Sequence, residues 1–581
     1  MNDIGGTPLH WGIKSRDDVQ EYISRGYDVN ASDVYGSTAL HYAADKEDIE
    51  CMLALLVNGA HVDAINNFGN TPLHMTIENK RSFRVIQCLI VFGADFNRPN
   101  GRNETPLHII GHRMMTKVSK EGDNDEYLLF ILHSIGAKRC PATKLTKKNG
   151  CSNGCGYFGD YIGSSSLLED STKSHKLILS PNIQSIVQTV FKIGENAANI
   201  FSFRKKDSPS LVTHPCLDVE KEEHIQNFLD ELLNLCPRKE IDYNNGNDDI
   251  IPERLLCLDG GGIRGLILIQ MLVEIEEIAQ TSIKNLFDWI AGTSTGGILA
   301  LAIGIGKTMS ECRSIYIQLK DIIFGGSRPY SSESMEMTLK NIFGPDTTMA
   351  DIKPKPKLII TGVIGDRKPA KLHLFRNYVS PNDKFHPESK CITPPLNEQL
   401  IWKVARATSA APCYFHSFET FIDGGLISNN PTIDAMTEIH EYNVAMYSVG
   451  YGCKMGSTIK CVVSLGTGST PITKTEIIDF YFSKSDPSEW FNMMMGLYKT
   501  LELILHQVTE SNNHVVSRAR AWCSSIGTPY FRFNPNLDDE IPLDETDDIK
   551  LIDMMFRTKI YMHMNKTKVI EMVKSLQSNF Q

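Results

Sequence analysis

Ile290-Ala291-Gly292-Thr293-Ser294-Thr295-Gly296-Gly297 reads as a sharp turn between a strand and a helix. Leu286, Phe287, Trp289 and Ile290 precede it as a short apolar run suited to a buried strand. Ile298 to Ile303 follows, apolar and Ala-rich, suited to a helix packed on a sheet. Gly292, Ser294 and Gly296 therefore make G-x-S-x-G at a strand-to-helix turn, with Gly292 and Gly296 forming the elbow. Such a turn needs small residues on both sides of the serine because the chain reverses sharply there. The Ser294 hydroxyl then projects near a helix N-terminus, where positive partial charge favours an anion. A glycine-rich turn with an incidental serine gives the same pattern, so the motif needs company.

Upstream lies Leu256-Cys257-Leu258-Asp259-Gly260-Gly261-Gly262-Ile263-Arg264-Gly265, an apolar strand running into three glycines and then into the apolar helix Leu266 to Ile278. Successive glycines let backbone N–H groups converge, as an oxyanion hole requires. Gly260, Gly261 and Gly262 are the candidate donors, and Arg264 adds positive charge beside them. Downstream, Phe421-Ile422-Asp423-Gly424-Gly425 puts a carboxylate at a strand end. Serine, glycine-rich donors and aspartate in this order suit an acyl hydrolase. Gly260, Gly262 and Gly265 also fit G-x-G-x-x-G, but no acidic residue closes a following strand about 20 residues on, as a dinucleotide site needs.

These residues resemble the patatin-like phospholipases, marked by D-G-G-G-x-R/K-G, G-x-S-x-G and D-G-G/A. The matches are Asp259 to Gly265, Gly292 to Gly296 and Asp423 to Gly425. Leu374-Phe375-Arg376-Asn377-Tyr378, Asn429-Asn430-Pro431-Thr432 and Val463-Ser464-Leu465-Gly466-Thr467-Gly468 are similar to one branch, the group VI calcium-independent phospholipase A2 enzymes with N-terminal ankyrin repeats. The resemblance implies sn-2 ester hydrolysis of glycerophospholipids without calcium, no cofactor, and a homodimer through the catalytic domain. It also brings a nucleotide-responsive glycine stretch, although one loop is poorly suited to hold both a pyrophosphate and an oxyanion. A calmodulin-binding stretch is proposed for relatives near Arg518, Arg520, Trp522 and Tyr530-Phe531-Arg532-Phe533. Thr528-Pro529 interrupts helix continuity there, and Asp538, Asp539 and Glu540 follow, which argues against calmodulin control.

The repeats are legible by themselves. Thr7-Pro8-Leu9-His10 recurs at Thr38, Thr71 and Thr105, at steps of 31, 33 and 34 residues. Gly26, Gly59 and Gly93 open a second recurring signal. This is the ankyrin period of a turn plus two helices. His10, His41, His74 and His108 are read as ties within the repeat turns rather than metal ligands. A fourth helix pair is expected from Thr105 to Gly136, with an insertion around Lys120 to Asp125. Such stacks present a concave face to a protein partner. Met1 lies almost on the first motif, leaving little room for a cap. Relatives of this branch carry more repeats, so a shorter form or a missing N-terminal piece is expected.

Composition sets the outer limits. The 581 residues suffice for two to four domains, and 41% hydrophobic content suffices for a core. A net charge of −10 gives no sign of nucleic-acid binding. The 14 cysteines lack a repeating spacing, as expected of reduced thiols. Cys140, Cys151 and Cys155 lack a fourth ligand at zinc-site spacing, and no metal is expected. The N-terminus lacks the basic start and apolar core of a signal peptide. No apolar run reaches the roughly 18 residues of a transmembrane helix. The expectation is a cytoplasmic protein peripherally associated with membranes, mitochondria being one admissible surface.

The domain reading is ankyrin repeats over 1–140, a linker over 141–250 and an α/β patatin-like catalytic domain over 251–581, mostly a parallel sheet with flanking helices. In the linker, Ile183, Ile186, Val187, Val190, Phe191, Ala197, Ala198 and Phe201 share one helical face ahead of Arg204, Lys205 and Lys206. Packing on protein is the favoured reading and a membrane interface the other. Strands are expected over Leu255 to Leu258, Phe287 to Ala291, Lys357 to Val363, His373 to Phe375 and Cys461 to Ser464. Trp490 to Leu505 is a strongly amphipathic helix.

The expected chemistry has Ser294 as nucleophile and Asp423 as its base. His440, His506, His514 and His563 follow Asp423, so a triad is available on paper. His440 falls two turns into a helix starting at Thr432, pointing away from the Asp423 loop, and the other three lack glycine-rich loops to present them. Broader acyl hydrolysis, on lysophospholipids or acyl-CoA thioesters, is the nearest alternative. An ankyrin scaffold with an inactive hydrolase domain is the other.

Overall fold

The computed structural model describes residues 5–115, 125–138, 253–353, 355–380, 394–448, 459–469 and 514–578. The linker helix, the Trp490 to Leu505 helix, His506 and the Cys140, Cys151 and Cys155 group lie outside them. The chain divides into two compact units. One holds Met1–Pro106, Ser134–Gly136 and Arg238–Gln581, the other Leu107–His133 and Ala137–Pro237. The first three repeats thus belong to the same unit as the catalytic half. The expected fourth pair is present as helices Pro106–Met115 and Asp125–Ser134, and Arg113 pairs with Asp125 inside the second unit.

In the first three repeats, each Thr-x-x-His is a capping box that also ties one repeat to the next. The N–H of Thr38 donates to His41 Nδ1 at 3.1 Å, so the proton sits on Nε2, which faces Asn70 O at 3.2 Å. His10 reaches Ser37 O at 3.1 Å and His74 reaches Glu104 O at 3.1 Å in the same way. These rings satisfy backbone groups. The third repeat packs on the catalytic half within the first unit. Phe83 meets Phe556 edge-on with ring centroids 5.6 Å apart, and Gln87 Nε2 donates to Asp553 Oδ1 at 3.0 Å.

Among the described residues, the catalytic half is built on a seven-stranded sheet. Its strands are β1 (Glu253–Leu258), β2 (Trp289–Gly292), β3 (Lys357–Ile364), β4 (Lys371–Arg376), β5 (Phe421–Asp423), β6 (Ile459–Leu465) and β7 (Tyr530–Phe533). The order is β4-β3-β2-β1-β6-β7, with β5 paired to β3. The pairs β1–β2, β2–β3, β1–β6 and β6–β7 are parallel, whereas β4 and β5 run antiparallel to β3. Leu255 to Leu258 are all fully buried, as both faces of a central parallel strand should be. Helix Thr295–Ile305 is buried almost all round, which explains its unbroken apolar sequence.

β7 departs from expectation. Tyr530–Phe533 is a buried edge strand beside β6, and helix His514–Ser525 stops before it. The basic stretch considered for calmodulin is thus divided between a helix and a strand, and no single amphipathic helix spans it.

The order of strands places the site. The chain adds β2 and β3 on one side of β1, then β6 and β7 on the other. The loops leaving the carboxyl ends of β1 and β6 meet at that reversal, where open α/β sheets bind ligands. Asp259 N donates to Leu465 O at 3.1 Å and Thr467 Oγ1 donates to Gly260 O at 2.8 Å.

Candidate active site

Register brings the motifs together. Leu258 of β1 is level with Gly292 of β2, so Gly260 and Ser294, each two residues farther on, lie side by side. A Cβ added to Gly260 would stand 3.3 Å from Ser294 Cβ. Gly292 is level with Ile360 of β3, and Asp423 of β5 is opposite Gly362, two residues beyond. β5 thus occupies the place beside β3 that β2 vacates when the chain turns at Ser294.

Ser294 caps helix Thr295–Ile305 with φ +53° and ψ −120°, a conformation that L residues adopt only under constraint. The elbow glycines allow it by closeness. A Cβ on Gly292 would lie 2.3 Å from Gly296 O, and one on Gly296 would lie 2.3 Å from Leu258 O. The Ser294 N–H donates to Thr408 Oγ1 at 2.9 Å. Its neighbour Thr293 is fully buried and donates through Oγ1 to Ser428 O at 2.7 Å.

Ser294 Oγ donates to Asp423 Oδ2 at 2.6 Å. Asp423 Oδ1 accepts the Gly425 N–H at 2.7 Å. Asp423 is 5% exposed, and burial raises its pKa from 3.8 to about 6, against the lowering effect of the bonds from Ser294 and Gly425. Among the described residues no histidine bonds to either group. His440 is exposed on helix Thr432–Ser448, which begins where the sequence places it, and His514 is exposed at the start of its helix. His563 lies near the end of helix Asp548–Met564. His373, on β4, is half-buried. Its ring stands 4.7 Å from Phe375 and 5.4 Å from Phe421 between centroids, and burial lowers its pKa to about 4.

The glycine loop needs one correction. The Gly260 N–H, expected as an oxyanion donor, donates instead to Asn429 O at 3.0 Å. What Gly260 contributes is close approach, since a Cβ there would meet Asn429 Oδ1 at 2.3 Å. The N–H groups of Gly261 and Gly262 make no hydrogen bond among the described residues. Gly262 has φ +56°, and a Cβ would sit 2.2 Å from Leu543 O, the carbonyl that accepts the Ile263 N–H at 2.8 Å. Arg264 ends the short turn Gly262–Arg264 and is 7% exposed. Burial raises the pKa of Tyr414, with the positive charges of Arg328 and Arg264 acting against it.

Four supports lie outside the serine, aspartate and glycine-loop motifs. Thr408 holds the elbow, Asn429 and Leu543 hold the glycine loop, and Arg532 pairs with Asp259 at 2.6 Å. Of these, Asn429 falls in a stretch that resembles the family branch, and Arg532 has a local signal of another kind. Tyr-Phe-Arg-Phe is a strand-like run, and an arginine inside a buried strand demands a carboxylate.

A model of patatin-like phospholipases matches residues 256–436, and a model of ankyrin repeats in three copies matches residues 40–112. The chain is 45% identical over 334 residues to the 85/88 kDa calcium-independent phospholipase A2 of Rattus norvegicus, covering 56% of this chain and 41% of that protein. It is 29% identical over 587 residues to the intracellular phospholipase A2 of Caenorhabditis elegans, covering 99% of this chain and 48% of that one. Against the calcium-independent phospholipase A2-gamma of Rattus norvegicus it is 30% identical over 358 residues, covering 56% and 40%. The chain therefore spans less than half the length of these curated relatives.

Proposed function

The chain carries a patatin-like phospholipase domain preceded by ankyrin repeats, and from that premise we propose that it is a calcium-independent phospholipase A2. It would cleave the sn-2 ester of glycerophospholipids through Ser294 and Asp423. The observation that carries this reading is the 2.6 Å bond from Ser294 Oγ to a buried Asp423 whose pKa burial raises to about 6. A carboxylate so placed is a far better base than an exposed one, while still ionised at neutral pH.

In the proposed mechanism, Ser294 Oγ attacks the ester carbonyl carbon as its proton passes to Asp423. The carbonyl oxygen becomes an oxyanion, met by the amides of Gly261 and Gly262 and by the N-terminus of helix Thr295–Ile305. Collapse breaks the ester C–O bond. Asp423 returns the proton to the departing glycerol oxygen, releasing lysophospholipid. Asp423 next takes a proton from water, whose oxygen attacks the acyl-serine. Loss of Ser294 Oγ, reprotonated by Asp423, frees the fatty acid.

Calcium independence is carried over from the relatives described above. No helix among the described residues is long and apolar enough to cross a membrane, so on this reading the lipid is met from the aqueous side. Peripheral membrane association, a cytoplasmic or mitochondrial surface, a homodimer through the catalytic domain, and a protein partner on the repeats all belong to the same proposal.

The test is product analysis by mass spectrometry on mixed phospholipid vesicles with excess chelator. Wild type should release fatty acid and lysophospholipid, and Ser294→Ala should release neither. His440→Ala should keep at least about a tenth of turnover, whereas Asp423→Asn should lose about two to four orders of magnitude. A histidine variant as inactive as Asp423→Asn would make the site a triad. Products from lysophospholipid or acyl-CoA alone would favour the broader acyl hydrolase. Failure of a fluorophosphonate to label Ser294 would favour a scaffold.

A further inference from the structure

We propose that Thr408 is the positioning residue of the dyad, fixing the separation of Ser294 and Asp423 by holding the amide of Ser294 and that of Gly424, the residue after Asp423. The inference rests on the reading of those two residues as the reacting pair.

Three bonds carry it. Thr408 Oγ1 accepts the N–H of Ser294 at 2.9 Å. Thr408 O accepts the N–H of Gly424, next to Asp423, at 3.4 Å, and Ala410 O accepts the N–H of Asp423 itself at 3.0 Å. The nucleophile turn and the strand end that carries the base therefore meet on one three-residue segment, Thr408 to Ala410. Ser294 needs such an acceptor. It caps a helix, so its N–H has no partner within that helix. Thr408 is fully buried, so no water replaces its hydroxyl.

The support is rigidly mounted. Thr408 ends helix Ile401–Thr408. Ser409 Oγ donates back to Ala405 O at 2.7 Å. Arg406, 1% exposed, donates through Nη2 to His416 O at 2.8 Å and to Ser332 Oγ at 3.1 Å. On its other side Thr408 packs on the nucleophile helix, where a Cβ at Gly297 would lie 3.0 Å from its Oγ1 and 3.1 Å from its Cγ2. The hydroxyl holds the elbow while the methyl fills the space beside it, a combination that threonine supplies and valine or alanine does not.

The experiment compares Thr408→Val, Thr408→Ala and Thr408→Ser in the full chain. kcat is measured per active site titrated with a fluorophosphonate, so unfolded protein is not counted. Thr408→Val and Thr408→Ala should lower kcat by roughly 10- to 100-fold with KM little changed, the scale of a small misplacement of reacting groups. Thr408→Ser, which keeps the acceptor, should recover most of that loss. Full kcat in either acceptor-free variant overturns the inference. So does a serine variant as slow as the valine variant, which would mean that packing alone matters. Ser294→Ala is run alongside. If it still turns over, the reading of the site has failed. If it is inactive while Thr408→Val is unimpaired, this inference alone has failed.

Discussion

Arg532 and Asp259 form a buried ion pair, Nη2 to Oδ2 at 2.6 Å, that joins the edge strand β7 to the first residue of the glycine loop. Asp259 is fully buried and Arg532 is 8% exposed. The same guanidinium donates through Nη1 to Ser464 Oγ at 2.9 Å on the intervening strand β6. The planar fork presents its donors in a fixed geometry, one nitrogen to each partner.

Removing one member of such a pair leaves an uncompensated buried charge. Arg532→Met should destabilise the protein by about 3–5 kcal/mol, read as a lower thermal or denaturant midpoint. Asp259 leads into Gly260 to Gly262, so kcat of the folded fraction should fall as well. An unchanged midpoint would mean that the pair contributes nothing beyond an apolar contact.

The titration of Asp423 predicts activity and stability that run in opposite directions with pH. As a base it must be ionised, so kcat/KM should fall about tenfold per pH unit below about 6 and level off above it. Between 3.8 and about 6 the folded protein holds a proton that the unfolded carboxyl has lost. That stabilisation is fully present below 3.8 and is lost as pH rises through about 6. At pH 8 the buried carboxylate then costs up to about 3 kcal/mol. Asp423→Asn should therefore melt above wild type at pH 8, with the gap closing toward pH 4. Equal melting at pH 8 would show that burial does not penalise the charge.

The repeat histidines predict a change of stability without a change of chemistry. His41→Ala leaves the Thr38 N–H and the Asn70 carbonyl without their buried partner and should cost about 1–3 kcal/mol. Burial lowers the His41 pKa from 6.5 to about 4, so the neutral ring's contribution is complete above pH 6.5 and fades as pH falls toward 4. The gap between wild type and variant should narrow over that range, and kcat at neutral pH should not move. Loss of kcat in the stable variant would assign His41 a role that these bonds do not explain.

Reading the chain recovers the local devices well. Thr-x-x-His at ankyrin spacing, a G-x-S-x-G turn between apolar runs, and a helix beginning at Thr432 follow from steric and hydrogen-bonding rules acting within a few residues. The apolar runs of β1, β2, β3 and β6 are legible because strands buried on both faces tolerate little else. Tyr530–Phe533 was less legible. Its four residues follow Thr528-Pro529, and a run this short is secured as a strand by its pairing with β6.

The sequence by itself determined the order of elements, the glycine-flanked turn at Ser294 and the carboxylate at the end of β5, because each depends on neighbouring residues. Tertiary structure alone decided which groups meet. Thr408 reaches Ser294 across 114 residues and Arg532 reaches Asp259 across 273. The Gly260 amide turns to Asn429, and Asp423 is buried far enough to raise its pKa. Strand register and burial set these relations, and both are properties of the assembled sheet. No local rule specifies which strand lies beside β3 once β2 has ended.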